Sequence, residues 1–492
     1  MTRNPRNLFL VVLAIGAMAL MSSCGSKPTS STTGWTYNDP QTGGFEVNPY
    51  FEQETGPGLV FIEGGSFVMG RTEQDVMFDW NNIPRKVTVS SFYMDETEVR
   101  NLDYVEYLYW LSRVFGETYP EVVRKALPDT LVWRERLAYN EPYVYNYLRH
   151  PSYRDYPVVG VNWVQANEYA AWRTDRVNEM ILIREGILDW DPDQVNERNF
   201  NTEAYLAGQY EGLVRQNMTD LDPRGTGERR VRREDGILLP AYRLPTEAEW
   251  EFAALGLIGN TVYERVVERR LYPWNGHVIR SSEENTMGTI MANIQRGRGD
   301  LMGVAGNLND AGEVTVPVYA YWPNDYGLYN MAGNVNEWVA DVYRPLSHED
   351  VADFRPFRGN VFTRPVRDDE GNLAPKDTLG RIVTQEVTDE ESATRRNYRS
   401  ADNIGYGDGD FVSSIYYSET ERQENGEVES LVYDHGVTSL INDESRVYKG
   451  GGWKDRPYWI VPGTRRFMDQ NEATNDIGFR CAMTRVGSPV GY

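Results

Sequence analysis

The chain is poor in the residues that build metal and disulfide sites. Only two cysteines, Cys24 and Cys481, occur in 492 residues, which excludes a disulfide framework and a four-cysteine zinc site. Histidine is scarce too. His150, His277, His348 and His435 include no H-x-x-x-H pair that one helix could present to a metal, and each reads as a solvated side chain. Basic charge is in deficit: 50 Lys and Arg face 73 Asp and Glu, a net charge of −23. The chain as a whole therefore has no electrostatic footprint for nucleic acid or for an anionic membrane surface. A G-x-x-x-x-G-K-[ST] phosphate loop and a G-x-S-x-G nucleophile elbow are both missing.

What is present describes a globular, loop-rich protein: 40% hydrophobic residues, 12% aromatic and 44 glycines. At roughly 150 residues per domain the length suggests about three domains, or one core carrying long insertions. Arg3 and Arg6 precede the uncharged apolar run 8–21, then Ser22, Ser23 and Cys24. That is an export signal over 1–23, too short and wrongly flanked to span a membrane. Leu20-Met21-Ser22-Ser23-Cys24 resembles a bacterial lipobox, which implies a covalent lipid on Cys24. Residues 24–58, rich in Ser, Thr, Gly and Pro, read as a flexible tether. Gly25 and Ser26, in place of a retention Asp, resemble outer-membrane lipoproteins facing the periplasm.

Three stretches read as compact core. In the first, 59–108, Glu63-Gly64-Gly65 turns between apolar Val60-Phe61-Ile62 and Phe67-Val68-Met69. The alternating Val87-Thr88-Val89 reads as a further strand, and Asn101 as the cap of a helix with Leu102, Val105 and Leu108 on one face. In the second, Asn162 stands three residues before Gln165 and Thr246 three before Glu249, two capping boxes. The third comprises 317–343 and 447–485, whose glycines supply turns. Between them lie apparent insertions at about 109–156, 178–240 and 345–445. Residues 104–156 hold 13 aromatics, a candidate contact surface or a local satellite core. Arg224, Arg229, Arg230, Arg232 and Arg233 cluster in the second insertion, as a solvated loop or a complement to acidic charge on another copy. The third insertion carries 22 acids against 10 bases.

Seven motifs in order carry a family resemblance: Phe67-Val68-Met69-Gly70, Asp95-Glu96-Thr97-Glu98-Val99, 157–163 (PVVGVNW), 243–250 (RLPTEAEW), Tyr272-Pro273-Trp274, 327–338 (GLYNMAGNVNEW) and Gly478-Phe479-Arg480-Cys481. Together they resemble the formylglycine-generating, sulfatase-modifying-factor family. The resemblance implies an α+β fold, a single compact C-type-lectin-related domain over 59–487 with little regular secondary structure and long insertions. It also implies a copper ion held by two cysteines shortly after the glycine-rich Lys449-Gly450-Gly451-Gly452. Here Asp455 and Trp459 stand at those positions. Neither offers the thiolate that Cu(I) needs, so no enzyme activity is expected. An iron-using branch of the family adds a helical domain that this chain lacks.

The resemblance further implies calcium. One site would use Asn330, Gly333, Val335 and Glu337; a second would use Asn293, Ile294, Asp310 and Gly312 with a longer spacing. The lipobox, this domain and the insertions together resemble the GldK/PorK-type lipoproteins of gliding motility and type IX secretion. Those are outer-membrane lipoproteins that form a periplasmic ring with a GldN/PorN-type partner. The expected function is thus a non-catalytic scaffold; the alternatives are a metal-dependent oxidoreductase and a lectin-like ligand-binding module. Cys481, left without a partner once Cys24 is lipidated, is either a buried inert thiol or half of an intermolecular disulfide to another envelope protein, such as an outer-membrane protein.

Overall fold

The computed structural model describes residues 28–71, 81–259, 270–274, 277–295, 312–344, 357–359, 361, 363–387 and 444–487. Strands β1 (Leu59–Ile62), β2 (Gly65–Met69), β3 (Arg85–Val89) and β4 (Phe92–Asp95) follow one another in the first core stretch. The second insertion contributes the short β5 (Met218–Thr219) and β6 (Glu228–Arg229), and β7 is Tyr242–Arg243. Then come β8 (Asn336–Val342), β9 (Thr363–Pro365), β10 (Thr384–Glu386), β11 (Ser445–Lys449), β12 (Arg466–Asp469), β13 (Ile477–Phe479) and β14 (Ala482–Thr484). The helices are α1 (Asn101–Phe115), α2 (Pro120–Ala126), α3 (Glu141–Asn146), α4 (Trp163–Arg184), α5 (Thr202–Leu206) and α6 (Glu247–Gly259). This is the mixed α and β content expected of an α+β chain.

Two four-stranded sheets carry the architecture, in the orders β1-β4-β14-β7 and β12-β11-β8-β13, with β2 and β3 as a separate antiparallel pair. All of their pairings are antiparallel except β13 with β8. Period-2 alternation explains how each sheet serves two cores. Cys481 and Met483 join the cluster built on α1 and α4, while the intervening Ala482 joins the cluster of β1 to β4 and α6. Trp338 and Val339 on β8 divide in the same way.

Both capping boxes form. Asn162 Oδ1 accepts from Gln165 N at 2.8 Å and starts α4. Thr246 Oγ1 accepts from Glu249 N at 3.2 Å while Glu249 Oε2 accepts from Thr246 N at 2.9 Å. The expected cap at Asn101 does not form. Asn101 is buried and its amide donates to the carbonyls of Tyr147 and Tyr153, so Arg100 is the N-cap. The buried face of α1 is Tyr104, Tyr107, Leu108, Leu111 and Val114, with Leu102 exposed. Aromatic bulk, stacked against Tyr169 of α4, overrides the aliphatic pattern.

The expectation of a flexible tether over 24–58 is corrected for the residues described. Glu46 pairs with Arg229, Glu54 with Arg184 and Asn48 with Glu234, and Gln53 reaches Met483, Thr484 and Val486. Composition reports the lack of a core, whereas ion pairs to a distant surface are invisible to it. Three of the five clustered arginines are likewise used at home: Arg229 also pairs with Asp235, Arg233 with Glu203, and Arg230 donates to the Tyr210 carbonyl. The described part of the third insertion, β9 and β10 with their connection, packs on α4 through Arg381–Glu168 and Leu379. Among the described residues no helix is long and apolar enough to cross a membrane.

Candidate functional site

The chain reverses after β11 because three glycines permit it. Gly450 and Gly451 have φ of 96° and 70°, and a Cβ on Gly451 would lie 2.6 Å from Ile460 Cγ2. The loop therefore folds back on itself, with Trp453 N donating to Asn334 O and Asp455 N to Gly452 O. This places Asp455 beside the central strand β8. Its carboxylate accepts from Arg466 Nη1 at 2.8 Å, Arg466 Nη2 at 2.6 Å, Gly452 N at 2.8 Å and Asn336 Nδ2 at 3.2 Å. The Arg466 guanidinium lies over the rings of Trp459 at 4.8 Å and Tyr448 at 5.0 Å.

Asp455 and Trp459, expected where a metal would be bound by thiolates, are thus brought together, but around a guanidinium. Both negative oxygens and the ring face serve Arg466, so the residues present do not fit copper. Sequence reasoning missed Arg466, which carries no local motif. The neighbouring Trp453 is also covered. Trp133 of the first insertion, 2% exposed, stacks on Trp453 with ring centroids 6.2 Å apart, and Lys454 pairs with Glu135 at 3.1 Å. The aromatic insertion is a satellite core of Trp133, Val144, Tyr147 and Trp453 with Tyr143, Tyr153 and Tyr156 against it.

The residues expected to hold calcium are engaged by protein partners. Glu337 Oε1 accepts from Arg480 Nη2 at 2.6 Å, and Oε2 accepts from Arg480 Nε at 2.6 Å and Trp250 Nε1 at 2.7 Å. Glu337 and Arg480 are both wholly buried. Asn330, at φ 52°, turns its amide to Glu98 Oε2 and the Val318 carbonyl. The Gly333 amide donates to the Gly450 carbonyl, and Val335 is packed in the satellite core. A carboxylate already neutralised by a bidentate arginine is not a donor set for a hard divalent cation. In the second set, Asn293 donates to Val314 O while its own carbonyl accepts from Asn334 N; Ile294 is buried, and Gly312 lies against Val316. Asp310 lies outside the described residues, as does Cys24. No group of three or more His, Cys, Asp or Glu poised for a metal occurs among the described residues.

Two buried carboxyls dominate the electrostatics. Burial, with Glu337 nearby, pushes Glu98 up to about 7 against the pull of Arg480. Burial and Glu247 push Asp341 up to about 7. Glu247 is itself buried, yet Arg465 and Lys449 hold its carboxyl low. Glu98 and Asp341 keep protons in the folded chain that the unfolded chain releases from about pH 4 upward. Their contribution is full below that point and is lost as pH rises through about 7, at up to about 1.4 kcal/mol per pH unit for each group. Urea midpoints should therefore be higher near pH 5 than near pH 8, and Glu98→Gln should shrink the difference. A midpoint rising across that window would contradict the assignment.

Cys481 is a free thiol with 0% exposure. Its backbone N–H donates to Asp95 Oδ2 at 2.8 Å, and Asp95 is paired with Arg173. Burial, with Asp95 beside it, pushes the thiol far up. This favours the buried inert thiol over the intermolecular disulfide, because the side chain lies in the core built on α1 and α4. Alkylating reagents should leave Cys481 untouched in the native protein and label it after denaturation. Labelling at equal rates in both states would place it at the surface.

The chain matches the sulfatase-modifying factor enzyme 1-like domain model over residues 44–485. It is 25% identical to the formylglycine-generating enzyme of Mus musculus over 346 residues, covering 66% of this chain and 71% of that protein. It is also 25% identical to the inactive C-alpha-formylglycine-generating enzyme 2 of Mus musculus over 329 residues, covering 62% and 73%. PvdO from Pseudomonas aeruginosa superposes with a TM-score of 0.39 at 16% identity, covering 86% of this chain and 93% of PvdO. The family match takes in both sheets, the glycine-rich reversal and the Asp455–Arg466 pair beside it, and on that match the chain belongs to the sulfatase-modifying factor enzyme 1-like family.

Proposed function

We propose that this chain is a non-catalytic scaffold of GldK/PorK type. In this reading it is an outer-membrane lipoprotein, anchored through Cys24 and facing the periplasm, that self-associates into the ring of a type IX secretion and gliding apparatus with a GldN/PorN-type partner. The unit that does so is a single C-type-lectin-related domain. The observation that carries the reading is the Asp455–Arg466 pair, which fills with an ion pair the place where the family's catalysts need two sulfurs. The stacking of Trp133 on Trp453 covers the surface beside this pair and disfavours a lectin-like module. Exposed Leu131, Leu137, Tyr139 and Tyr145 on the same insertion offer apolar surface for assembly.

Two measurements test this. Electron microscopy of detergent-extracted protein with whatever co-purifies should show a ring. Elemental analysis should show no stoichiometric copper or iron, and a sulfatase-derived cysteine peptide should remain unconverted. One metal per chain together with turnover would replace the scaffold by an oxidoreductase.

A further inference from the structure

Five of the large apolar side chains exposed on the described surface fall within residues 35–51: Trp35, Phe45, Val47, Tyr50 and Phe51, with Phe51 77% exposed. Much of this stretch is a folded loop. Thr29 bridges Thr36, and Ser30 N donates to Trp35 O at 2.8 Å. The Asn38 side chain holds the backbone of Val47 by two hydrogen bonds of 3.0 and 2.7 Å. The Trp35 ring lies against Gly43, and Tyr37 packs on Phe45 with centroids 5.7 Å apart. Of its carboxylates, Asp39 caps Gln41 N within the loop and Glu46 turns to Arg229 on the body of the protein, as does Glu54, just beyond the loop, to Arg184. Charge therefore docks the segment, and the rings are left outside. Contiguous exposed aromatics of this kind mark a contact surface.

The position of the segment in the chain selects the partner. Cys24 precedes Pro28 by four residues, a span of at most about 15 Å when fully extended. Acyl chains on Cys24 would hold the loop against the bilayer surface. At a net charge of −23 the protein gains nothing there from electrostatics. Tyr and Trp, with an apolar ring and a polar edge, suit the headgroup region without needing charge. We propose that the 29–51 loop is a membrane-facing surface whose Trp35, Phe45, Tyr50 and Phe51 rings enter the interface of the bilayer that holds the Cys24 lipid, so that the anchor fixes orientation as well as location. This rests on the lipidated reading of Cys24.

The test uses the full, lipidated chain in vesicles of phosphatidylethanolamine and phosphatidylglycerol containing headgroup-nitroxide lipid. An environment-sensitive thiol dye is placed through Phe51→Cys, with Met287→Cys, an exposed turn position outside both the loop and the aromatic insertion, as the control. Buried Cys481 does not compete for the dye. The label at position 51 should shift to shorter wavelength and lose most of its emission to the nitroxide, and the label at 287 should do neither. Protein that floats with vesicles while the 51 label reports water overturns the membrane surface alone. A 51 label shielded only after a second copy or a co-purified partner is added assigns the rings to protein and also overturns it. Parent protein that does not float, or that behaves like Cys24→Ala, overturns the lipid anchor and the proposal with it.

Discussion

Replacing Arg480 with methionine is expected to destabilise the protein by about 3–5 kcal/mol, because it strands a buried carboxylate. Arg480 is wholly buried and donates to both oxygens of Glu337, to the Asp95 carbonyl at 3.1 Å and to the Tyr329 carbonyl at 2.8 Å. Without it Glu337 keeps, among its described side-chain partners, the Trp250 indole. Pairing the change with Glu337→Met should recover part of the loss, since an apolar pair avoids the desolvation penalty of two ions. It should not recover all of it, because the Trp250 N–H and two backbone carbonyls stay unpartnered at about 1–3 kcal/mol each. Urea unfolding of the two single variants and the double variant gives the coupling directly. A single-variant loss below about 1 kcal/mol would mean that the network is not what closes this core. Calcium should not change the midpoint of the parent, because Arg480 already neutralises Glu337. A calcium-dependent rise abolished by Glu337→Ala would reinstate the cation site.

The second large effect is expected at Asp455. Asp455→Ala removes the acceptor of four hydrogen bonds and leaves Arg466 with Asn336 and two ring faces. Arg466 is largely buried, so the unpaired cation and the lost turn bond should together cost about 2–4 kcal/mol. Asp455→Asn should cost less, since it keeps an acceptor and loses only the charge. Neither variant should take up copper, which separates a structural ion pair from a damaged metal site. Denaturant midpoints with copper titration provide the check. A stable Asp455→Ala would show that the reversal after β11 is held by its glycines and by Trp453 alone.

These two sites show where local pattern ends. The strands around Gly64-Gly65 and the boxes at Asn162–Gln165 and Thr246–Glu249 were legible because each depends on residues a few positions apart. The missing thiolates at 455 and 459 were legible too, because an absent element needs no coordinates. Asn101 was misread because the preference that makes Asn a cap also makes it a donor to distant carbonyls, and only the packing of 147–153 decides between the two.

By itself, then, the amino-acid order determined the α+β class, the strands around Gly64-Gly65, the two boxed helix starts and the absence of cysteine at 455 and 459, all properties of spacing or composition. Tertiary structure alone decided what Asp455 and Glu98 meet. Asp455 meets an arginine eleven residues on, and Glu98 meets Asn334 and Arg480 across most of the chain, through sheets whose register no local pattern encodes. It also decided that Cys481 is buried in the core built on α1 and α4 and that residues 28–58 are docked rather than free. The physical reason is the same in each case: burial and ion pairing depend on which surfaces meet, and that is settled when the two sheets close on their helices.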